Sequence, residues 1–250
     1  MGDSHAPSGP SRPLPAATLL LVRDGEAGLE VLMVQRHGQS GFAAGALVFP
    51  GGKVDAEDEA LARSSPPGEL LPYRVAAIRE TWEEAGILLA RGSNGVMVGA
   101  ADVPAPKEGV AALAGLRLAT DTLVHFAHWI TPEAEPRRFD TQFFLAATPP
   151  DQTAAHDGHE TLDCRWLAPA AALAEADART VRVLFPTRLN LMKLARSKTV
   201  AEALERARAE RVVSVQPVIE TRDDGRRVVR IPQPDTGYAI TEMPFGRAAG

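Results

Sequence analysis

Cysteine is almost absent from this 250-residue sequence: Cys164 stands alone, so no intramolecular disulfide can form. Its neighbours Asp163 and Arg165 do not suggest a nucleophile, and a structural or incidental thiol is expected. Long apolar runs are missing too. None reaches the ~20 residues that span a bilayer, which excludes a membrane-crossing helix. There is no excess of positive charge. Lys and Arg number 27 against 32 Asp and Glu, for a net charge of −5, so bulk electrostatics gives no case for nucleic-acid binding. Residues 1–15 are rich in Pro, Ser and Gly and lack the apolar stretch of a signal peptide; a disordered leader is expected there. The closing Arg247-Ala248-Ala249-Gly250 is not a peroxisomal address, and a cytoplasmic location is the default expectation. No internal repeat is present.

What remains is ordinary globular composition, 45% hydrophobic and 24% charged, enough for one large core with extensions. Ala17 to Arg23 and Leu29 to Arg36 read as strands joined by hairpin chemistry at Asp24-Gly25 and Gly28. A glycine-spotted loop, Gly38 to Gly45, leads to a short apolar strand, Ala46 to Phe49, broken at Pro50-Gly51-Gly52. Residues 55–71 suggest a short helix and a surface loop, and Pro72 to Ala85 a helix that Gly86 stops. Leu123 to Thr131, Phe139 to Thr148 and Thr161 to Leu167 are strand-like. Helices are expected at Pro169 to Ala178 and Thr187 to Arg211, the second divided at Ser197-Lys198-Thr199. Val212 to Ile219 and Arg226 to Ile231 suggest a closing hairpin around Asp223-Asp224-Gly225. Hairpins interleaved with helices predict an α/β (α+β) fold with a mixed central sheet. The expected division is a core at 16–197, with an insertion at about 55–71, and a helix-and-hairpin extension at 198–250 packed on it.

The chemistry concentrates in Arg79-Glu80-Thr81-Trp82-Glu83-Glu84-Ala85-Gly86. At ~100° per residue, Glu83 lies about 60° to one side of Glu80 and Glu84 about 40° to the other, so the three carboxylates share one stripe. Val75, Ile78, Trp82 and Ala85 form the opposite, apolar face. Like charges at this spacing destabilise a helix by ~0.2–0.5 kcal/mol per pair. Their place near the helix C-terminus is also unfavourable. A divalent cation reverses both penalties, because carboxylate oxygens are preferred ligands of Mg²⁺ and Mn²⁺. A solvated acidic face balanced by nearby arginines is the plain alternative.

Together, Phe49-Pro50-Gly51-Gly52 and Arg79-Glu80-x-x-Glu83-Glu84-x-Gly86-Ile87 resemble the Nudix box. The resemblance covers roughly residues 16–197 and implies a Nudix-like α/β/α sandwich. It further implies that Glu80, Glu83, Glu84 and the Gly52 carbonyl bind Mg²⁺ or Mn²⁺, with Arg79 holding the carboxylates by an ion pair. Gly52 to Arg79 is 27 positions, so 13 residues are inserted relative to the family pattern. The first acidic position of the box stays open between Glu57, Asp58 and Glu69: counting from Gly52 gives Asp58, and counting back from Arg79 gives Leu71. Thr81 replaces an aliphatic residue. The insertion, and the run from Leu32-Met33-Val34-Gln35-Arg36 through Gly45 to Phe49-Pro50-Gly51-Gly52, resemble the coenzyme A diphosphatase-like branch, which includes the mammalian peroxisomal acyl-CoA group. That signature's second arginine falls on Gly41 and its threonine on Val34.

The implied activity is hydrolysis of the diphosphate in a nucleoside diphosphate linked to another moiety, foremost coenzyme A or acyl-CoA. ADP-ribose, NADH or a nucleotide sugar are alternative substrates, and a non-catalytic ligand sensor is an alternative class. Glu83 or a loop glutamate is the expected proton acceptor, and Glu160 is a further catalytic candidate. Arg36 and Arg138 are candidate phosphate contacts. His125 and His128, in an apolar run, are expected to be core or half-buried. No nucleic acid or membrane partner is expected, and the C-terminal helices leave a homodimer open.

Overall fold

A computed structural model of the protein describes residues 11–36, 45–63, 65, 67–155 and 161–245. In chain order the first elements are β1 (Leu14–Gly25), β2 (Gly28–Arg36), β3 (Leu47–Val48), β4 (Gly51–Lys53), α1 (Ala56–Arg63) and α2 (Leu71–Ala85). After them come β5 (Ala90–Arg91), β6 (Arg117–Leu118), β7 (Val124–Ile130), β8 (Phe139–Ala147) and β9 (Thr161–Leu167). The chain ends with α3 (Pro169–Asp177), α4 (Phe185–Leu194), α5 (Val200–Ala209), β10 (Ser214–Val215), β11 (Val218–Thr221), β12 (Arg227–Arg230) and β13 (Glu242–Pro244).

The central sheet is mixed and runs β10-β7-β8-β1-β2-β3, with β4 beside β1 and β9 beside β2. Its spine is β1. One edge of that strand pairs in parallel with β8 from Leu14 to Val22. The other edge is shared: Ala16 to Thr18 pair with β4, and Val22 to Gly25 with β2. This pairing starts the strand at Leu14, inside the stretch expected to be leader; residues 1–10 lie outside the described residues.

Period-two alternation divides the core into two layers. Ala17, Leu19 and Leu21 of β1, with Phe144 and Ala146 of β8, pack against Val75, Ile78 and Trp82 of α2. Leu20, Val22, Phe143 and Leu145 face the other way, onto Leu189, Leu191 and Leu194 of α4 and Ala203 and Ala207 of α5. The result is the expected α/β/α sandwich. Helix α2 has Pro72 in its first turn, where a missing N–H costs nothing, and ends at Gly86, whose φ of 69° is left-handed. Ser197-Lys198-Thr199 does divide the C-terminal helices: Thr199 caps α5 by accepting the Glu202 N–H at 3.2 Å.

Three features were not legible beforehand. Residues 87–122 hold the small β5–β6 pair and short 3₁₀ turns. The run Val212 to Ile219 is two strands: Pro217, which lacks an N–H, separates β10 from β11. β10 joins the central sheet parallel to β7, while β11 turns through Gly225 (φ 80°) into β12. β13 adds a third strand to what had read as a hairpin.

Candidate active site

The box helix is organised around Arg79. Its side chain is only 6% exposed, and Nε and Nη2 donate to the two oxygens of Asp58 at 2.8 and 2.9 Å. Nη1 reaches Glu83 Oε2 at 2.7 Å and Glu80 Oε1 at 3.1 Å, and Nη2 donates to the Lys53 carbonyl at 3.0 Å. One guanidinium therefore ties α1, α2 and β4 together. Burial alone would lower the Arg79 pKa; the Asp58 hydrogen bonds and the charges of Glu80 and Glu83 outweigh it and raise it.

Asp58 is fully buried at 0% exposure and also accepts the Asp55 N–H at 2.8 Å, closing the first turn of α1. Among the three acidic residues left open in the sequence, Asp58 holds Arg79. The rest of α1, to Arg63, and the residues leading to α2 at Leu71 intervene between Asp58 and Arg79.

The three box glutamates sit in different environments. Glu80 is 13% exposed, and burial pushes its carboxyl up to about 7 against the pull of Arg79, with Glu83 and Asp58 adding to the rise. Glu83 is the most open, at 36%. Glu84 is 4% exposed, accepts the Gly51 N–H at 3.0 Å and lies 3.9 Å from Arg36 Nη1. The glycine turn is pressed onto this cluster. A Cβ on Gly52 would sit 2.2 Å from Glu80 Oε1, and one on Gly51 would sit 2.4 Å from the Ala17 carbonyl oxygen. Thr81, fully buried, satisfies its hydroxyl by donating to the Ala77 carbonyl at 2.7 Å, so the departure from an aliphatic residue is tolerated.

On the other side of β4 opens a cavity of about 660 Å³. Gly51, Gly52 and Lys53 form part of its wall, with Ala16 and Thr18 of β1 and Phe139, Thr141 and Phe143 of β8 as alternate residues on one sheet face. Arg36 also lines it. Its Nε is buried with no hydrogen-bond partner among the described residues.

The expectations for other residues divide. Arg138 does not line the cavity: it is 6% exposed, and Nε and Nη1 donate to the Thr131 and Ser11 carbonyls at 3.1 and 2.8 Å, so it clamps the turn before β8. Its neighbour Arg137, on the opposite side of the chain, lines the cavity instead, as does Arg182. Alternation along an extended segment was the signal that would have chosen between Arg137 and Arg138. Glu160 lies outside the described residues. His125 is half-buried against Gln142 at 2.9 Å, and burial lowers its pKa. His128 is held between Ser214 at 2.6 Å and Asp140 at 2.5 Å. The Cys164 thiol lies 3.8 Å from the Glu84 carbonyl oxygen, a packing contact.

A profile of the NUDT19 Nudix domain matches residues 59–194, more than half of the chain. The chain belongs to the Nudix hydrolase family. Within it, the sequence is 25% identical over 225 residues to the acyl-coenzyme A diphosphatase NUDT19 of Xenopus laevis, covering 66% of this chain and 59% of that protein. The corresponding Gallus gallus protein is 28% identical over 235 residues, covering 68% and 62%. The chain thus spans about three-fifths of the length of these curated relatives. The crystal structure of a NUDIX hydrolase from Alicyclobacillus acidocaldarius superposes with a TM-score of 0.69 at 28% identity, over 78% of this chain and 96% of that one.

Nudix hydrolases generally use divalent metal ions. The donor set here is chemically suited to one: hard carboxylate and carbonyl oxygens, with a Glu80 carboxyl whose raised pKa a neighbouring cation would relieve. Among the described residues no three acidic, His or Cys side chains already form a closed cage. Glu80 and Glu83 are turned to Arg79, and Glu84 to the Gly51 N–H. No helix among the described residues is long and apolar enough to cross a membrane.

Proposed function

We propose that the protein hydrolyses the diphosphate linkage of coenzyme A or an acyl-CoA with Mg²⁺ or Mn²⁺ bound. The observation that carries this reading is the shared wall at Gly51–Lys53. An acidic cluster touches one side of it, and a largely apolar cavity with Arg36 in its lining opens on the other. A substrate reaching both would carry a multiply charged group and, beyond an amide-bearing arm, an apolar one, as an acyl-CoA does. The names carried by the NUDT19 relatives point the same way.

In this mechanism Glu80, Glu83, Glu84 and the Gly52 carbonyl would hold the cation, Glu83 being the most exposed of the three carboxylates. When bound, the ion supplies positive charge to the diphosphate oxygens and makes water more acidic. Arg79 positions: with Asp58 fixed behind it, it sets the angle from which Glu80 and Glu83 approach the turn. Glu83 is the proposed proton acceptor. Arg36, held near Glu84, takes a phosphate oxygen with donors that are otherwise incompletely used. The single cysteine, Cys164, suits a reducing, cytoplasmic setting.

The test is a panel of coenzyme A, acyl-CoA, ADP-ribose, NADH and nucleotide sugars with Mg²⁺ and Mn²⁺, run on the wild type beside Glu83→Gln. Release of 3′,5′-ADP from the CoA compounds is expected, with turnover falling ~100-fold or more in the variant. AMP release confined to ADP-ribose would replace the substrate assignment, and an unimpaired variant would remove Glu83 from the mechanism. Micromolar ligand binding without turnover would favour a sensor.

A further inference from the structure

The far wall of the cavity is built by the end of the chain. Pro217, Val229 and Phe245, from the β10–β13 region, line it together with Trp129, Phe143 and Phe185 of the core. These residues are fixed rather than draped. Trp129 donates its indole N–H to the Tyr238 hydroxyl at 2.9 Å, which in turn donates to Asn190 Oδ1 at 2.6 Å. The Trp129 ring lies 5.2 Å from Tyr238 and meets Phe185 edge-on at 5.8 Å. Phe245 is seated by its N–H on the Arg227 carbonyl at 2.8 Å and by the Arg227 guanidinium 4.9 Å over its ring. Val229 and Ile231 are buried.

Of the cations lining the cavity, Lys53 ends β4 itself, Arg36 and Arg182 adjoin Ala46 through backbone pairing, and Arg137 lies 5.4 Å over the Phe139 ring at the start of β8. An occupant with its anionic part at β4 extends past the phenylalanines of β8 to end at Val229 and Phe245. Cavities of this size hold a drug-sized chain; the lining sets Thr18, Thr131, Thr141 and Thr187, suited to an amide-bearing arm such as pantetheine, beside the rings and aliphatic groups of the far wall.

We propose that the C-terminal extension is the specificity wall of this site: Phe245 and Val229 receive the acyl chain of a thioester substrate, so the protein selects for acyl length. This deepens, and rests on, the diphosphatase reading above. Each methylene buried against such a wall is worth roughly fourfold in affinity, so kcat/KM rises from acetyl- to decanoyl-CoA until the cavity is filled.

Three full-length variants test it, against free CoA, acetyl-CoA and decanoyl-CoA, with thermal melts as the folding control. Phe245→Ala is expected to lower kcat/KM for decanoyl-CoA by about tenfold through KM, the loss of a few buried methylene contacts, and to leave free CoA nearly unchanged. Phe245→Leu restores most of the decanoyl rate, and Phe245→Trp shifts preference toward shorter chains. Calorimetry with S-decanoyl-pantetheine, which has no diphosphate, reads the wall alone and shows weaker binding in Phe245→Ala. A parallel fall for all three CoA compounds, or a wild type indifferent to chain length, overturns the proposal while leaving the diphosphatase reading intact. Binding of decanoyl-pantetheine without turnover of any CoA compound would do the reverse.

Discussion

Replacing Arg79 by methionine removes the guanidinium that pairs with Asp58 inside the protein. Asp58 is 0% exposed and takes two guanidinium hydrogen bonds, at 2.8 and 2.9 Å, so the variant leaves a buried carboxylate with the Asp55 N–H as its remaining donor among the described residues. Breaking a buried pair from one side costs about 3–5 kcal/mol. For a chain of this length each kcal/mol moves Tm by about 2–4 °C, giving an expected drop of roughly 6–20 °C. The loss is expected to come from Asp58 more than from the exposed side of the cluster, where Glu83 can turn to water. Differential scanning calorimetry and urea unfolding on Arg79→Met, Asp58→Asn and the double variant make this measurable. The double variant should be less destabilised than the sum of the singles, with a coupling of about 0.5–3 kcal/mol, because neither member is left charged and alone. Strict additivity, or an Arg79→Met protein melting within about 2 °C of wild type, would refute the view that Arg79 and Asp58 form the structural pivot of the site.

Metal-free protein should lose stability at Glu80 as pH rises. The folded pKa of about 7 exceeds the ordinary 4.5, so the folded state binds the extra proton, and its contribution is full below about 4.5 and gone above about 7. Glu80→Gln flattens that slope in pH-dependent melts, and Mn²⁺ titrated calorimetrically at pH 6 in buffers of different ionisation heat should release a proton; no release would contradict it. Gly52→Ala places a methyl where Glu80 Oε1 lies 2.2 Å away, so activity should collapse while stability falls by about 1–3 kcal/mol, compared by kcat and urea unfolding; an active variant would show that Glu80 need not touch the turn. Arg36→Ala should raise KM about tenfold or more, whereas Arg138→Ala should lower Tm and leave KM nearly unchanged, because Arg138 is spent on two backbone carbonyls. Steady-state kinetics on the pair distinguishes them, and the opposite ranking would restore Arg138 as a phosphate contact.

The parts of this protein readable from sequence were those governed by local rules. The acidic stripe of α2, its stop at Gly86, the glycine turn and the break at Thr199 each follow from spacing and backbone preference within a few residues. Long-range pairing was less readable. Leu14 and Pro15 look like part of a polar leader until β8 lies beside them, and β13 has no signal of its own before β12 offers an edge. The same limit applied to the site. Glu80, Glu83 and Glu84 could be placed by helical periodicity, but the choice of Asp58 over Glu57 or Glu69 depended on where α1 docks. The aromatic wall brings together residues as far apart as Trp129 and Phe245, and no spacing rule relates them.

Gly51 and Gly52 are a partition one backbone thick, with Glu80 and Glu84 against it from the helix side and the cavity on the other. Under the proposed metal binding, an occupant of the cavity that displaced this turn would also move the Gly52 carbonyl toward or away from the cation. Linkage then runs in both directions by the same factor: a substrate that tightens the ion is one the ion tightens. On that reading, selection for a different arm would shift the metal concentration the reaction needs, even with every glutamate unchanged.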